Sequence, residues 1–259
     1  NRLGRNINYG VREHAMAAIN NGIALHGGLK AFAGAFFVFS DYCKPSIRLS
    51  ALMELPVTYV FTHDTVAVGE DGPTHQPIEQ LVGLRAIPGL NVLRPADANE
   101  TIASWKLAIE SEKVPTVLVL TRQNVTNLPG TSYDGVKRGA YVVSPEKERV
   151  DGVLLAAGSE VELAVEAQKS LRRRGLDVRV VSMPSHYLFN KQNAKYKESV
   201  LPNVPTLAIE AGSSMSWYEF TLNVMGIDSF GISCPGNQAM EHFKFTSKEV
   251  VKRFLKLVK

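Results

Sequence analysis

The stretch His63-Asp64-Thr65-Val66-Ala67-Val68-Gly69-Glu70-Asp71-Gly72-Pro73-Thr74-His75-Gln76-Pro77 sets two imidazoles, acids beside them, two glycines and two prolines directly after an apolar run. Val57-Thr58-Tyr59-Val60-Phe61-Thr62 before it is β-branched and aromatic without a helical period, so it is predicted to be a buried strand. The polar stretch then lies at the strand's carboxyl end, where parallel α/β sheets bind ligands. Gly69, Gly72 and Pro73 allow sharp turns and a close backbone approach to a ligand. His63, Asp71 and His75 supply donors, acceptors and proton carriers near neutral pH. A polar, hydroxyl-rich substrate fits them. Each residue alone would also suit a helix-capping loop, and it is their density that favours a site. A zinc centre is not expected, because Cys43 and Cys234 occur singly and no His-x-x-x-His helix is present; no metal ligands are assigned to this chain.

The elements that must carry this stretch alternate between strand and helix. A helix over 11–26 is predicted to end at Gly27-Gly28, followed by the strand at 57–62. A helix at 77–85, a short strand at 91–93, a helix at 98–110 and a strand at 116–121 come next. Asn127-Leu128-Pro129-Gly130-Thr131-Ser132 then opens a polar connection without sustained periodicity. Beyond it come a strand at 153–157 and a helix at 159–174 with Ser159 and Glu162 in capping-box relation, then strands at 177–182 and 205–209 and a closing helix at 246–258. The fold class expected is α/β: two successive three-layer α/β domains with mainly parallel sheets joined by right-handed crossovers. The boundaries expected are 1–125 for the first, 126–149 for a linker and 150–259 for the second. Ala157-Gly158-Ser159 could cradle a phosphate at a helix start, but a tight turn and a capped helix already account for it.

The site stretch closely resembles the pyrimidine-binding domain of transketolases, carried by His63-Asp64 and Gly69-Glu70-Asp71-Gly72-Pro73-Thr74-His75. Tyr9-Gly10-Val11-Arg12-Glu13-His14 resembles a further element of the family, Phe36-Phe37-Val38-Phe39-Ser40-Asp41-Tyr42 its aromatic pocket, and Thr121-Arg122-Gln123-Asn124 its substrate-side arginine. Similarity continues through Ala157 to Glu162, Val180 to Ser185 and Glu198 to Pro202, so it covers nearly the whole chain. Departures are confined to Ser213–Phe220 and to Lys244, where the family tends to have glycine.

That resemblance implies thiamine-diphosphate-dependent transfer of a two-carbon ketol unit from a ketose phosphate to an aldose phosphate, in the pentose phosphate pathway. It implies that Glu13 activates the cofactor from a mostly apolar strand-to-helix junction, where desolvation would raise its pKa. Phe36, Phe39 and Tyr42 are expected to form the aminopyrimidine slot; their spacing of three would put them on one face of a helical turn. His63 and Arg122 are implied as acceptor-phosphate ligands, and Asp71 and His75 as hydroxyl- and proton-handling groups, with His75 counted as catalytic together with Glu13. The family's Gly-Asp-Gly motif, which holds magnesium and the diphosphate, has no counterpart here. The chain is therefore expected to be the carboxyl-terminal portion of a longer polypeptide, its first domain incomplete at the start, inactive alone and working as a homodimer with sites at the subunit interface. The second domain is expected to support the dimer. Alternatives are a deoxyxylulose-phosphate synthase, which Val11 to His14 and Asp71 disfavour, a dihydroxyacetone synthase-like enzyme, and a non-catalytic dimerisation fragment or split subunit.

Composition agrees with a metabolic enzyme. At 259 residues and 45% hydrophobic content the chain can bury one large or two moderate cores, and no run approaches the roughly 18 apolar residues of a membrane span. The two cysteines make no disulfide framework, which points to a reducing, cytoplasmic setting. The formal charge of +4 is modest and its cations scattered; the cluster Arg172-Arg173-Arg174 complements a helix end, and no nucleic-acid or membrane partner is expected.

Overall fold

A computed structural model describes residues 4–259. The first α/β unit runs α1 (Glu13–His26), β1 (Phe32–Phe36), α2 (Ser40–Leu52), β2 (Thr58–Thr62), α3 (Gln80–Arg85), β3 (Asn91–Leu93), α4 (Ala98–Glu110) and β4 (Thr116–Leu120). Its strands are all parallel in the order β1-β2-β4-β3, with Phe36 opposite Thr62 and Thr62 opposite Leu120. The carboxyl ends of β1, β2 and β4 thus finish level with one another. Phe37, Tyr59, Phe61, Val117 and Val119 fill the core beneath α1 and α2, each large side chain contributing about 1.5–3 kcal/mol by leaving water.

The second unit holds α5 (Tyr133–Arg138), β5 (Tyr141–Ser144), β6 (Gly152–Ala156), α6 (Glu160–Arg172), β7 (Val178–Ser182), α7 (His186–Asn190) and α8 (Ala194–Val200). It continues with β8 (Thr206–Ile209), β9 (Val224–Met225), α9 (Gly236–His242) and α10 (Ser247–Leu257). Its sheet runs β5-β7-β6-β8-β9, parallel except for β5, which lies antiparallel on β7. The two units share apolar contacts: Val66, Ile78, Leu93 and Leu118 of the first sit in one buried cluster with Leu154, Val161, Ile209 and Ala239 of the second. Among the described residues no helix is long and apolar enough to cross a membrane.

The two mainly parallel α/β layers are as expected, and several local expectations are corrected. The connection at 126–149 carries α5 and β5, and β5 belongs to the second sheet. Its glycines, which read as loop punctuation, serve packing: a Cβ on Gly135 would meet the Tyr141 ring at 2.5 Å, and Gly139 ends α5 in the left-handed region. Neither β1 nor α2 was anticipated, since Gly34 interrupts a very short strand and Pro45 lies inside the helix. Phe36, Phe39 and Tyr42 therefore do not share a helical face; they fall on a strand end, a 3-10 turn (Phe37–Phe39) and the first turn of α2. Ser159 forms no capping box: it is itself helical, with φ −58° and ψ −20°, and its hydroxyl donates to Glu160 at 2.7 Å.

Candidate active site

The site is built at the level carboxyl ends of β1, β2 and β4. His63 follows β2 and stacks on Phe36 at the end of β1, with ring centroids 3.7 Å apart and planes within 17°. It does so in the left-handed region, at φ 64°, a conformation that costs a non-glycine residue about 1–3 kcal/mol and persists only where neighbours enforce it. Its Nδ1 shares a hydrogen bond of 2.8 Å with the Thr62 hydroxyl. Partial burial, and then the positive charge of Arg122, lower the His63 pKa from 6.5, while the Asp71 carboxylate opposes them. His63, Asp71 and Arg122 thus share one electrostatic neighbourhood, with Arg122 exposed just beyond β4 and Asp71 exposed on the loop.

His75 forms the second edge. Its ring meets Phe39 edge-on at 5.4 Å and 83°, and its Nδ1 shares a 2.9 Å hydrogen bond with the Thr74 hydroxyl. Tyr42 lies 6.1 Å from Phe39 and is 62% exposed, an open aromatic face. Glu13 is half-buried and opens α1; its carbonyl accepts the Cys43 thiol at 3.4 Å, one residue from Tyr42. Burial, and then the Glu13 charge, push that thiol up to about 12, so Cys43 packs rather than reacts. The seat of α1 is fixed by a polar network missed in the sequence: Asn21 donates to the Ser46 carbonyl at 2.9 Å, and its Oδ1 accepts from Ser50 at 2.6 Å and from the Tyr59 hydroxyl at 3.0 Å. Each such buried bond is worth roughly 1 kcal/mol and holds α1 against α2 and β2.

Between these edges the loop is held from outside. The Thr65 hydroxyl caps a 3-10 turn at Val66–Val68, accepting the Ala67 N–H at 3.2 Å. Gly69 and Gly72, at φ 96° and 74°, turn sharply as expected, but the close neighbours of their backbone are Gly236 and Ser233 of the second unit. Gln76 lashes the loop by donating to the carbonyls of Val66, Gly69 and Ile232 at 2.9, 3.0 and 2.9 Å. Asp64, grouped with His63 in the resemblance, is 2% exposed, and its Oδ2 accepts the Arg94 Nε–H at 2.9 Å, a partnership unread in the sequence. The available signal was Arg94 itself, an arginine within the apolar run Val92-Leu93-Arg94-Pro95-Ala96.

His63, Arg122 and Asp71 share one neighbourhood beside Phe36, and His75 packs on Phe39; imidazole, guanidinium and carboxylate are groups suited to a polyhydroxylated anion and to proton transfer. Among the described residues no group of three or more His, Cys, Asp or Glu could hold a metal ion. A cavity of about 520 Å³ lies elsewhere, bounded by Arg85, Ile87, Leu90, His186, Asn190 and Met215, and contains none of the site residues.

Comparison with known proteins gives this geometry a family. Residues 1–127 match the model of the transketolase pyrimidine-binding domain, and residues 139–246 that of the transketolase-like C-terminal domain. The chain belongs to the transketolase family. A transketolase of Halalkalibacterium halodurans is 58% identical over 258 residues, covering 96% of this chain and 39% of that protein. The chain thus spans about two fifths of the length of the curated transketolases it matches and corresponds to their carboxyl-terminal portion. A crystal structure of a Pichia stipitis transketolase in complex with sedoheptulose-7-phosphate superposes with a TM-score of 0.95 at 46% identity, covering 98% of this chain and 38% of that one. A chain described as a split gene transketolase, inactive beta4 tetramer, superposes at 0.79 with 25% identity, and 82% of it is covered.

Proposed function

We propose that this chain supplies the pyrimidine and sugar side of a thiamine-diphosphate enzyme that moves a two-carbon ketol unit from a ketose phosphate to an aldose phosphate. The observation that carries the proposal is the convergence of His63, Arg122 and Asp71 on one patch at the carboxyl ends of β2 and β4, edged by His75 on Phe39. The sugar-phosphate complex of the Pichia stipitis relative supports that substrate class. When bound, thiamine diphosphate supplies a thiazolium carbon that can lose a proton and attack a carbonyl. Glu13 would hydrogen-bond its pyrimidine, with Phe39, Phe36 and Tyr42 beside the ring. Arg122 would bind the acceptor phosphate in bidentate fashion with His63 as partner, and Asp71 and His75 would hold hydroxyls and relay protons. Magnesium and diphosphate ligands are assigned to an amino-terminal portion and the working form to a homodimer; the chain alone is read as inactive.

Replacement of Glu13 by alanine in the full-length enzyme tests this. Turnover should fall by at least about 10²-fold, the scale of losing a group needed for proton transfer, with folding intact. A near wild-type rate would remove Glu13 from the mechanism. One observation favours a second reading, that of a split subunit: most of the split-gene chain is covered by this one. The intact mass of the native polypeptide separates the two.

A further inference from the structure

The second α/β unit holds none of the groups assigned to chemistry above, yet it grips the site loop at two places. The first grip is Arg94, which leaves β3 and is completely buried. Its Nε donates to Asp64 at 2.9 Å, and its Nη1 donates to the Ala157 carbonyl at 2.7 Å, to Glu160 at 2.5 Å and to Glu210 at 3.3 Å. Its backbone is fastened as well: its N–H donates to the Pro184 carbonyl at 2.9 Å, and its carbonyl accepts the Gly158 N–H at 3.1 Å. Four of these partners, Ala157, Gly158, Glu160 and Glu210, sit at the carboxyl ends of β6 and β8 or open α6. The second grip is Ile232 to Gly236: Ser233 donates to the Glu70 carbonyl at 2.5 Å, and Ile232 accepts from Gln76.

Asp64 stands immediately after His63, and its side chain lies beside Thr121, the residue before Arg122. One buried carboxylate is therefore carried by the residue after His63 and lies beside the residue before Arg122. We propose that the second α/β unit sets the geometry of the phosphate end of the site, with Arg94 and Asp64 as positioning residues that hold His63 against Phe36 and align Arg122. The left-handed His63 needs an enforcing neighbour, and the carboxylate of the next residue, anchored to a guanidinium, is that neighbour. Glu160 and Glu210 fix the other side of the same guanidinium, so the pose of His63 depends on residues about 100–150 positions away in sequence. The proposal rests on the phosphate reading of His63 and Arg122 for its kinetic consequence but not for its geometric one.

The test uses the full-length enzyme with Asp64→Asn, which keeps the shape and loses the charge, and Glu160→Gln, which alters the second unit alone; Arg122→Ala is the reference. Asp64→Asn should raise KM for a phosphorylated acceptor about tenfold, leaving kcat within about twofold and KM for an unphosphorylated acceptor unchanged, with a threefold or so effect for Glu160→Gln. The ring resonances of His63, shifted by the Phe36 ring current, should move in both variants. If Arg122→Ala loses phosphate selectivity while Asp64→Asn and Glu160→Gln leave both selectivity and the His63 resonances unmoved, the positioning role is overturned. If Arg122→Ala affects both acceptors alike but the resonances move in both variants, the phosphate reading fails and the positioning role stands.

Discussion

Gly158→Ala is the sharpest probe of how tightly the two units are joined. Gly158 has φ +63°, and a Cβ there would lie 2.5 Å from Arg94 Cζ, 2.7 Å from Nε and 2.8 Å from Nη1. The left-handed backbone costs an alanine about 1–2 kcal/mol. Contacts near 2.5 Å cannot stand, and Arg94 is no free side-chain tip: it is fully buried and bonded to two units at once. Moving it breaks a buried ion pair, a loss of about 3–5 kcal/mol when one partner is left uncompensated. The expected destabilisation is about 4–7 kcal/mol, beyond the usual range for a point substitution. Gly175→Ala provides the internal control, since Gly175 also has positive φ, at +81°, but meets nothing within 4 Å, so only the backbone cost applies. Denaturant unfolding followed by the fluorescence of Trp217, whose indole N–H donates to Glu210 at 2.7 Å, reads the difference close to the cluster. Equal midpoint shifts for the two variants would refute the claim that Gly158 is glycine because of Arg94.

Two further outcomes follow from the charges. In an NMR titration, His63 should titrate below 6.5; Arg122→Ala should bring it part of the way back, because burial remains, and Asp71→Asn should lower it further. A His63 pKa indifferent to both substitutions would separate these residues. Glu210 is fully buried; burial alone would raise its pKa, but the charge and hydrogen bonds of Arg85, and then the charge of Arg94, bring it from 4.5 down to about 2. A carboxylate depressed in the folded state contributes stability that is present above pH 4.5 and lost as pH falls towards 2, so Glu210→Gln should flatten the acid limb of a stability–pH curve. An acid limb as steep as that of the unaltered protein would contradict this.

The parts of the fold legible in sequence were those governed by local pattern. The run 57–62 read as a strand because β-branched and aromatic residues follow one another there, and β2 spans Thr58–Thr62. The helices read at 98–110 and 246–258 are α4 and α10, opened by Asp97 and Thr246, whose side chains accept the N–H of Glu100 and Glu249. What failed depended on distant partners. The neighbours of Gly69 and Gly72, more than 150 residues on, left no trace in the local pattern. Glu160 drew no reading, although its carboxylate reaches back to Arg94 and also accepts the Ala211 N–H at 3.0 Å. The spacing of the aromatic trio suggested one helix where the chain makes a strand, a 3-10 turn and a helix in quick succession. A period of three cannot reveal a change of element within it.

The central claim is that this chain holds the pyrimidine and sugar side of a thiamine-diphosphate site and depends on another portion for the diphosphate and metal. Isothermal calorimetry with thiamine diphosphate and magnesium, on the 259-residue chain alone and then with a transketolase amino-terminal portion added, tests it most directly. The account predicts no micromolar binding by the chain alone, because the Gly-Asp-Gly element expected to hold magnesium and the diphosphate has no counterpart in its sequence, and tight binding once the other portion is present. Micromolar binding of the cofactor by the chain alone would contradict it.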